Sequence, residues 1–245
     1  MSNGLEDVVA AETVLSDVDG LAGRLIIRGQ PLEALAGRSN YEAVLSLLWD
    51  GFFPDLPTDL RQPLADARVR VFELLGADLH LVADRPAFDA MRALMALLPD
   101  GVELDSALLL AAAPGVLLPA LLRLRDGEET LAPDSSLSHA TDMLRMMSGA
   151  APRAELARAL DTYLVTVADH GLNASTFAAR VVASTEAGLT SSVLAALGAL
   201  KGPLHGGAPG PVLDMLDAIG RPENAERWIG AQLADGERLM GFGHR

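Results

Sequence analysis

The sequence contains no cysteine among its 245 residues. This absence excludes disulfide bonds, thiolate catalysis and cysteine-based zinc sites within it. Aromatic residues are also scarce, at 4%, although half of all residues are hydrophobic. Because alanine and leucine supply most of this apolar content, the composition favours closely packed helices over a sheet-rich fold.

Basic residues are few as well, with 19 lysines and arginines against 33 aspartates and glutamates, which gives a net charge of −14. A general nucleic-acid-binding protein needs the opposite balance, so we expect no nucleic-acid partner. An anionic ligand would depend on local arginines or helix N-termini that reverse the acidic field.

Long hydrophobic runs are absent. The first seven residues are acidic and lack an apolar signal core. The longest apolar run, 107–122, is shorter than a membrane span and contains Pro114 and Pro119. It therefore predicts a buried helix pair, and we expect a cytoplasmic protein with no membrane association.

One hairpin and about ten helices are predicted. Residues 13–18 and 24–27 read as strands on either side of the turn signal Asp19-Gly20. Ser39 and Glu42 have capping-box spacing and open a helix that ends near Gly51. The further predicted helices are 58–77, 86–98, 137–148, 153–168, 174–187, 189–200, 208–219 and 224–235.

A glycine-rich break surrounds His205, in Gly-Pro-Leu-His-Gly-Gly at 202–207. We expect Gly202 to end the preceding helix with a positive φ, and Pro203 cannot continue that helix. Glycines on both sides would let a ligand approach the backbone closely. Two interpretations stay open from these residues alone: a ligand-contacting histidine, or a helix corner whose histidine caps a carbonyl.

The histidine pattern does not predict a metal site. His170, His205 and His244 lie 35 and 39 residues apart, without a helical His-x-x-x-His pair or a nearby carboxylate cluster. There is no Gly-x-Ser-x-Gly motif for a serine nucleophile, and the glycine-rich break lacks Walker spacing. His80 and His139 have no notable neighbours, and we expect surface or capping roles for them.

Three separated motifs resemble those of the citrate synthase family, in that family's order and approximate spacing. They are Asp-His-Gly-Leu-Asn at 169–173, Gly-Pro-Leu-His-Gly-Gly at 202–207 and Gly-Phe-Gly-His at 241–244. Asp19-Gly20, Arg28-Gly29 and Tyr41-Glu42 fit the N-terminal part, so that the resemblance covers essentially the whole chain.

The resemblance implies an all-α, multi-helical citrate synthase-like fold with a small N-terminal β-hairpin. A large helical domain would span 1–203, and 204–245 would begin a small domain across a cleft. It also implies a homodimer built from stacked helices near 107–148. The apolar character of that segment agrees, since a helix that is apolar nearly all round must be covered.

The chemistry that the resemblance implies is the condensation of acetyl-CoA with oxaloacetate. Removing a proton from the acetyl methyl group needs a carboxylate base and a donor to the enolate oxygen. His205 would stabilise the enol, His244 would polarise oxaloacetate, and His170 would bind it. No cofactor is expected beyond the coenzyme A thioester substrate, whose adenine would contact Leu239, Met240, Gly241, Phe242 and Gly243.

In the family, the catalytic aspartate and the arginines that clamp the anionic substrates follow the last motif. We therefore expect a C-terminally truncated chain that is inactive alone. Two alternatives stay open: a 2-methylcitrate synthase that uses propionyl-CoA, and a non-catalytic paralogue with a scaffold or regulatory role. No residue in the sequence decides between acetyl-CoA and propionyl-CoA.

Overall fold

A computed structural model of the chain describes residues 11–203, 205–207, 209–237 and 239. Within these ranges the protein is mainly helical, with one small antiparallel sheet near the N-terminus. The predicted all-α class is thereby confirmed.

The predicted hairpin is present as strands β1 (Ser16–Asp19) and β2 (Arg24–Ile27), which pair antiparallel with Ser16 opposite Ile27. A third strand, β3 (Gln30–Pro31), pairs with β2 and was not predicted. Two residues that include a proline give no strand pattern, and proline is restricted to sheet edges such as this one.

The helices that follow agree with the predicted positions. The six predicted from 137 to 235 all occur, with ends within four residues of those expected, and helices also occupy most of 58–77 and 86–98. The helices are α1 (Leu32–Leu35), α2 (Tyr41–Trp49), α3 (Arg61–Leu75), α4 (Ala87–Met95), α5 (Leu104–Arg125), α6 (His139–Ser148), α7 (Ala154–Thr166), α8 (Ala174–Ala183), α9 (Leu189–Leu200), α10 (Pro209–Ile219) and α11 (Ala225–Ala234).

The start of α2 differs from the predicted capping box. The N-cap is Asn40 and not Ser39, and its side chain accepts a hydrogen bond from the Ala43 backbone N–H at 2.9 Å. Glu42 does not reach back to the helix start, because its side chain is buried in the interior. Both serine and asparagine are good caps, so that spacing alone could not choose between neighbours.

Helix α5 corrects the predicted helix pair. It is one helix of 22 residues that contains both Pro114 and Pro119. It is long and apolar enough to cross a membrane, but 67% of its most apolar stretch is buried inside this protein. Each proline removes one helical hydrogen bond, and packing against α3, α4 and α6 holds the helix together across both.

Two apolar clusters form the interior. The larger one joins α3, α4 and α5 around Leu64, Leu94 and Leu117. The smaller one joins the sheet to α1, α2 and α7 through Ile27 and Val44. Neither α10 nor α11 has a buried residue among those described.

Candidate active site

His205 lies in the turn that follows α9, and its ring contacts the first turn of α8. The ring Nε2 is 2.9 Å from the Ser175 hydroxyl oxygen, and the Ser175 backbone N–H donates to it at 3.3 Å. Since a backbone N–H can only donate, Nε2 is an acceptor and the ring proton belongs on Nδ1. His205 is therefore a neutral imidazole with one donor to offer, and its partner is a serine rather than a carbonyl.

The N-terminus of α8 supports this contact. Asn173 caps the helix by accepting the Thr176 backbone N–H at 3.0 Å, and it also accepts the Ser175 hydroxyl at 2.7 Å. The positive end of a helix dipole favours nearby anions. The sequence analysis missed Ser175, although an asparagine directly before a helix, followed by a serine in its first turn, is a recognisable capping signal.

The loop that carries His170 is anchored by the preceding aspartate. The Ser16 hydroxyl of β1 and the Gly171 backbone N–H both donate to Asp169. Gly171 has a φ of +90°, in the region that side-chain-bearing residues rarely adopt. The exposed His170 lies three residues before Asn173, so that His170 and His205 both lie at the N-terminal end of α8.

The turn before His205 is built differently from the prediction. Lys201 follows α9 with ordinary right-handed geometry, and Gly202 is not among the glycines with positive φ. Gly206 is required by the turn itself, because a Cβ there would overlap the carbonyl oxygen of Leu200. The glycine therefore allows the backbone to fold onto the end of α9, and ligand approach is not needed to explain it.

The last predicted motif lies almost wholly outside the described residues. His244, Met240, Gly241, Phe242 and Gly243 are in this group. Leu239 is described, as a half-buried residue after α11. The roles of all six residues stay predictions.

Two cavities flank this region. An apolar cavity of about 480 Å³ is lined by Asp169, by Trp49 and Phe52 of the α2 end, and by Leu189. A second cavity of about 570 Å³ lies between α4 and α9 and is lined by Arg85, Asp89, Arg92, Leu194 and Lys201. No cluster of three or more possible metal-binding side chains occurs among the residues that the structure describes.

His139 is not a surface residue, contrary to the expectation. It is 3% exposed, its ring lies 4.7 Å from the Tyr41 ring, and its backbone N–H donates to Glu42 Oε1 at 2.8 Å. Burial, and secondly the nearby Arg68 charge, lowers the pKa of His139 to about 3. His80, by contrast, is exposed as expected.

A buried ion pair lies close to His139. Arg68 of α3 and Asp142 of α6 are fully buried, and Arg68 Nε donates to Asp142 at 3.0 Å. Asp142 also accepts from Arg145 and from the Asp134 backbone N–H. These bonds join α3, α6 and the loop between α5 and α6, and they have no contact with His205 among those described.

The family model described as "Citrate synthase, C-terminal domain" matches residues 4–245. The chain belongs to the citrate synthase family. Citrate synthase of Haloferax volcanii is 37% identical over all of this chain and 69% of its own length. 2-Methylcitrate synthase of Mycobacterium tuberculosis is 39% identical over all of this chain and 65% of its own length. The chain thus spans about two thirds of the length of these two relatives.

Solved structures of this family have the same fold. Citrate synthase from Thermotoga maritima matches with a TM-score of 0.80 and 34% identity, over all of this chain and 68% of that one. Citrate synthase from Thermoplasma acidophilum, in a ternary complex with carboxymethyl coenzyme A and oxaloacetate, matches with a TM-score of 0.82 and 29% identity. This match covers 100% of this chain and 68% of that one. The predicted citrate synthase-like fold is confirmed.

Proposed function

We propose that this protein supplies the large part of an enzyme that condenses an acyl-CoA with oxaloacetate. The carbon next to the thioester carbonyl loses a proton and bonds to the keto carbon, whose oxygen gains a proton. Water then cleaves the thioester, which gives citrate from acetyl-CoA and releases coenzyme A. The observation that carries the proposal is His205, held as a neutral donor by Ser175 at the N-terminus of α8.

Each predicted site residue has a place in this reaction. His205 donates to the enolate oxygen, where a fixed donor stabilises developing charge. His170 binds oxaloacetate beside the positive end of the α8 dipole, which provides local attraction for a dianion in an acidic protein. His244 polarises the ketone, and the segment from Leu239 to Gly243 contacts the coenzyme A adenine.

The second candidate, 2-methylcitrate synthesis from propionyl-CoA, is favoured by the Mycobacterium tuberculosis relative. The two activities differ only in one methyl group on the acyl chain. The ratio of kcat/KM for acetyl-CoA and propionyl-CoA distinguishes them. A cytoplasmic location, a place in the tricarboxylic acid cycle and the division into domains 1–203 and 204–245 are parts of the same proposal.

A homodimer is proposed as well. The helices near 107–148 are the expected interface, although much of α5 faces its own interior and Leu117 is 1% exposed. Apolar exposure is larger on the two helices that follow: Tyr163 and Val167 on the α7 side, and Phe177 and Val181 on α8, which has no buried residue. A second copy that covers α8 would bury this surface.

The proposed function is tested by replacing His205 in the polypeptide that the complete reading frame encodes. Coenzyme A release from acetyl-CoA and oxaloacetate is measured with a thiol reagent, to which residues 1–245 contribute no cysteine. We expect His205→Ala to lower kcat about a hundredfold to a thousandfold, as for loss of an oxyanion donor. His80→Ala, at an exposed histidine, is the control and leaves kcat unchanged. Equal activity of the two variants would remove His205 from the mechanism.

A further inference from the structure

Strand β1 contacts the loop that carries His170 on both sides of that histidine. Ser16 and Val18 are two residues apart in the strand, so that their side chains lie on the same face. The Ser16 hydroxyl donates to the Asp169 carboxylate, directly before His170. Directly after His170, a Cβ on Gly171 would lie 3.4 Å from Cγ2 of Val18. One face of β1 therefore supports the whole turn.

Apolar packing fixes both partners of the Ser16–Asp169 hydrogen bond. The two residues are 153 positions apart in the chain. Leu15, directly before Ser16, and Ala168, directly before Asp169, both pack against the smaller apolar cluster, which contains Ile27. A hydrogen bond between groups that are already held close together loses little conformational freedom when it forms. The carboxylate therefore has a fixed position relative to the sheet.

The Asp169 carboxylate in turn closes the backbone around His170. The same oxygen, Oδ1, accepts the Ser16 hydroxyl and the Gly171 backbone N–H, the latter at 3.0 Å. An aspartate that accepts the N–H two residues further on forms an Asx turn, with the residue between them at its tip. His170 is at this tip. Without the Ser16 hydroxyl, this oxygen would keep only the hydrogen bond within its own loop.

The position of His205 depends on different contacts. Helix α8 packs along α9, and its N-terminus is capped by Asn173, which accepts the Thr176 N–H at 3.0 Å. Both hydrogen bonds described for the His205 ring are made with Ser175 of α8, and neither involves β1. A change at Ser16 should therefore loosen the His170 turn and leave the ring of His205 in place.

We propose that Ser16 is a positioning residue for the oxaloacetate-binding His170. It acts through Asp169, whose carboxylate joins β1 to the turn. A binding side chain that is held less firmly weakens the ground-state complex, whereas the chemical step at His205 is unaffected. The proposal rests on the proposed function, because that function supplies oxaloacetate as the ligand of His170.

The test compares Ser16→Ala with the unaltered polypeptide of the complete reading frame. Calorimetry gives the Kd of oxaloacetate, and coenzyme A release gives its KM and kcat. We expect Ser16→Ala to raise Kd and KM about tenfold, as for loss of one hydrogen bond to a charged group, with kcat at saturating oxaloacetate unchanged. Ser16→Thr keeps a hydroxyl, in a residue that suits a strand, and should restore both values. Ser135→Ala removes the hydroxyl of an exposed serine between α5 and α6 and is the control.

A double variant tests whether Ser16 acts through His170. If it does, adding Ser16→Ala to His170→Ala weakens oxaloacetate binding by a much smaller factor than adding it to the unaltered protein, because both changes remove the same contact. Equal factors in the two backgrounds would overturn the inference. It would also be overturned if Ser16→Ala bound oxaloacetate as the unaltered protein does, or if kcat fell while KM stayed the same.

Failure of the proposed function would give a different pattern. The unaltered protein would then bind oxaloacetate without releasing coenzyme A from acetyl-CoA, and the calorimetric comparison would still decide the role of Ser16. An unaltered protein that does not bind oxaloacetate would overturn the role of Ser16, whether or not coenzyme A is released.

Discussion

Asp142 is the residue on which the buried ion pair depends. Its replacement by asparagine leaves the fully buried Arg68 guanidinium without a counter-charge. We expect Asp142→Asn to lower the free energy of unfolding by about 3–5 kcal/mol, measured by urea denaturation. Asp105→Asn breaks the exposed pair with Arg70 and is the control, with an expected loss below about 1 kcal/mol. Equal losses would contradict the assignment.

His139 makes stability depend on pH in a defined direction. Its pKa is about 3 in the folded protein and near 6.5 when unfolded, so that the unfolded chain binds the proton more tightly. Stability is therefore lost as pH falls below 6.5, by about 2 kcal/mol between pH 7 and pH 5. His139→Gln should remove this slope, whereas His80→Gln should keep it. A slope that is the same in both variants would contradict a buried neutral His139.

At the residue scale, the motifs could be found from the sequence, but the hydrogen-bond partners and the burial of their side chains could not. Sequence reasoning placed His205 on a turn after a helix, which the structure confirms, but it did not find Ser175 as the partner of the ring. It also expected a surface or capping role for the buried His139, because burial is decided by what packs on a residue. The close contact of the His139 ring with Gly115, a glycine in the middle of α5, is fixed only once the helices are assembled.

At the scale of elements, two neighbouring residues, Ser39 and Asn40, can be compared as the N-cap of α2. We expect Asn40→Ala to cost about 1 kcal/mol in the free energy of unfolding, because the Ala43 N–H loses its partner. Ser39→Ala is the matched control and should leave stability within about 0.5 kcal/mol. Thermal and urea unfolding of the two variants measure the difference. A larger effect at Ser39 would restore the capping box that the spacing suggested.

Helix positions were predictable where periodic apolar residues lie between clear stop signals. Both ends of the helix predicted from 189 to 200 agree with α9. The Lys-Gly-Pro sequence that follows it marks its C-terminal end. Helix α5 was not predicted as one helix, since Pro114 and Pro119 are local signals against a helix. Only the surrounding helices, which bury α5, explain why it continues through both.

At the scale of the whole molecule, the proposed dimer has a direct test. We expect Val181→Glu on α8 to convert dimers to monomers in sedimentation at micromolar concentration, because a charge would enter the covered surface. Val181 is 51% exposed in the single chain, so that folding of the protomer should be unaffected. Leu21→Glu, at a fully exposed residue of the turn between β1 and β2, is the control and should stay dimeric. A monomeric unaltered protein would contradict the dimer.

The fate of the acetyl methyl carbon tests the proposed condensation most directly. The polypeptide of the complete reading frame is incubated with oxaloacetate and acetyl-CoA that carries carbon-13 in its methyl group, and the products are followed by NMR. We expect the label to appear in a methylene carbon of citrate as coenzyme A is released, because a carbon–carbon bond has formed at that position. Label that stays in acetyl-CoA, or that is released as acetate by simple thioester hydrolysis, would contradict it.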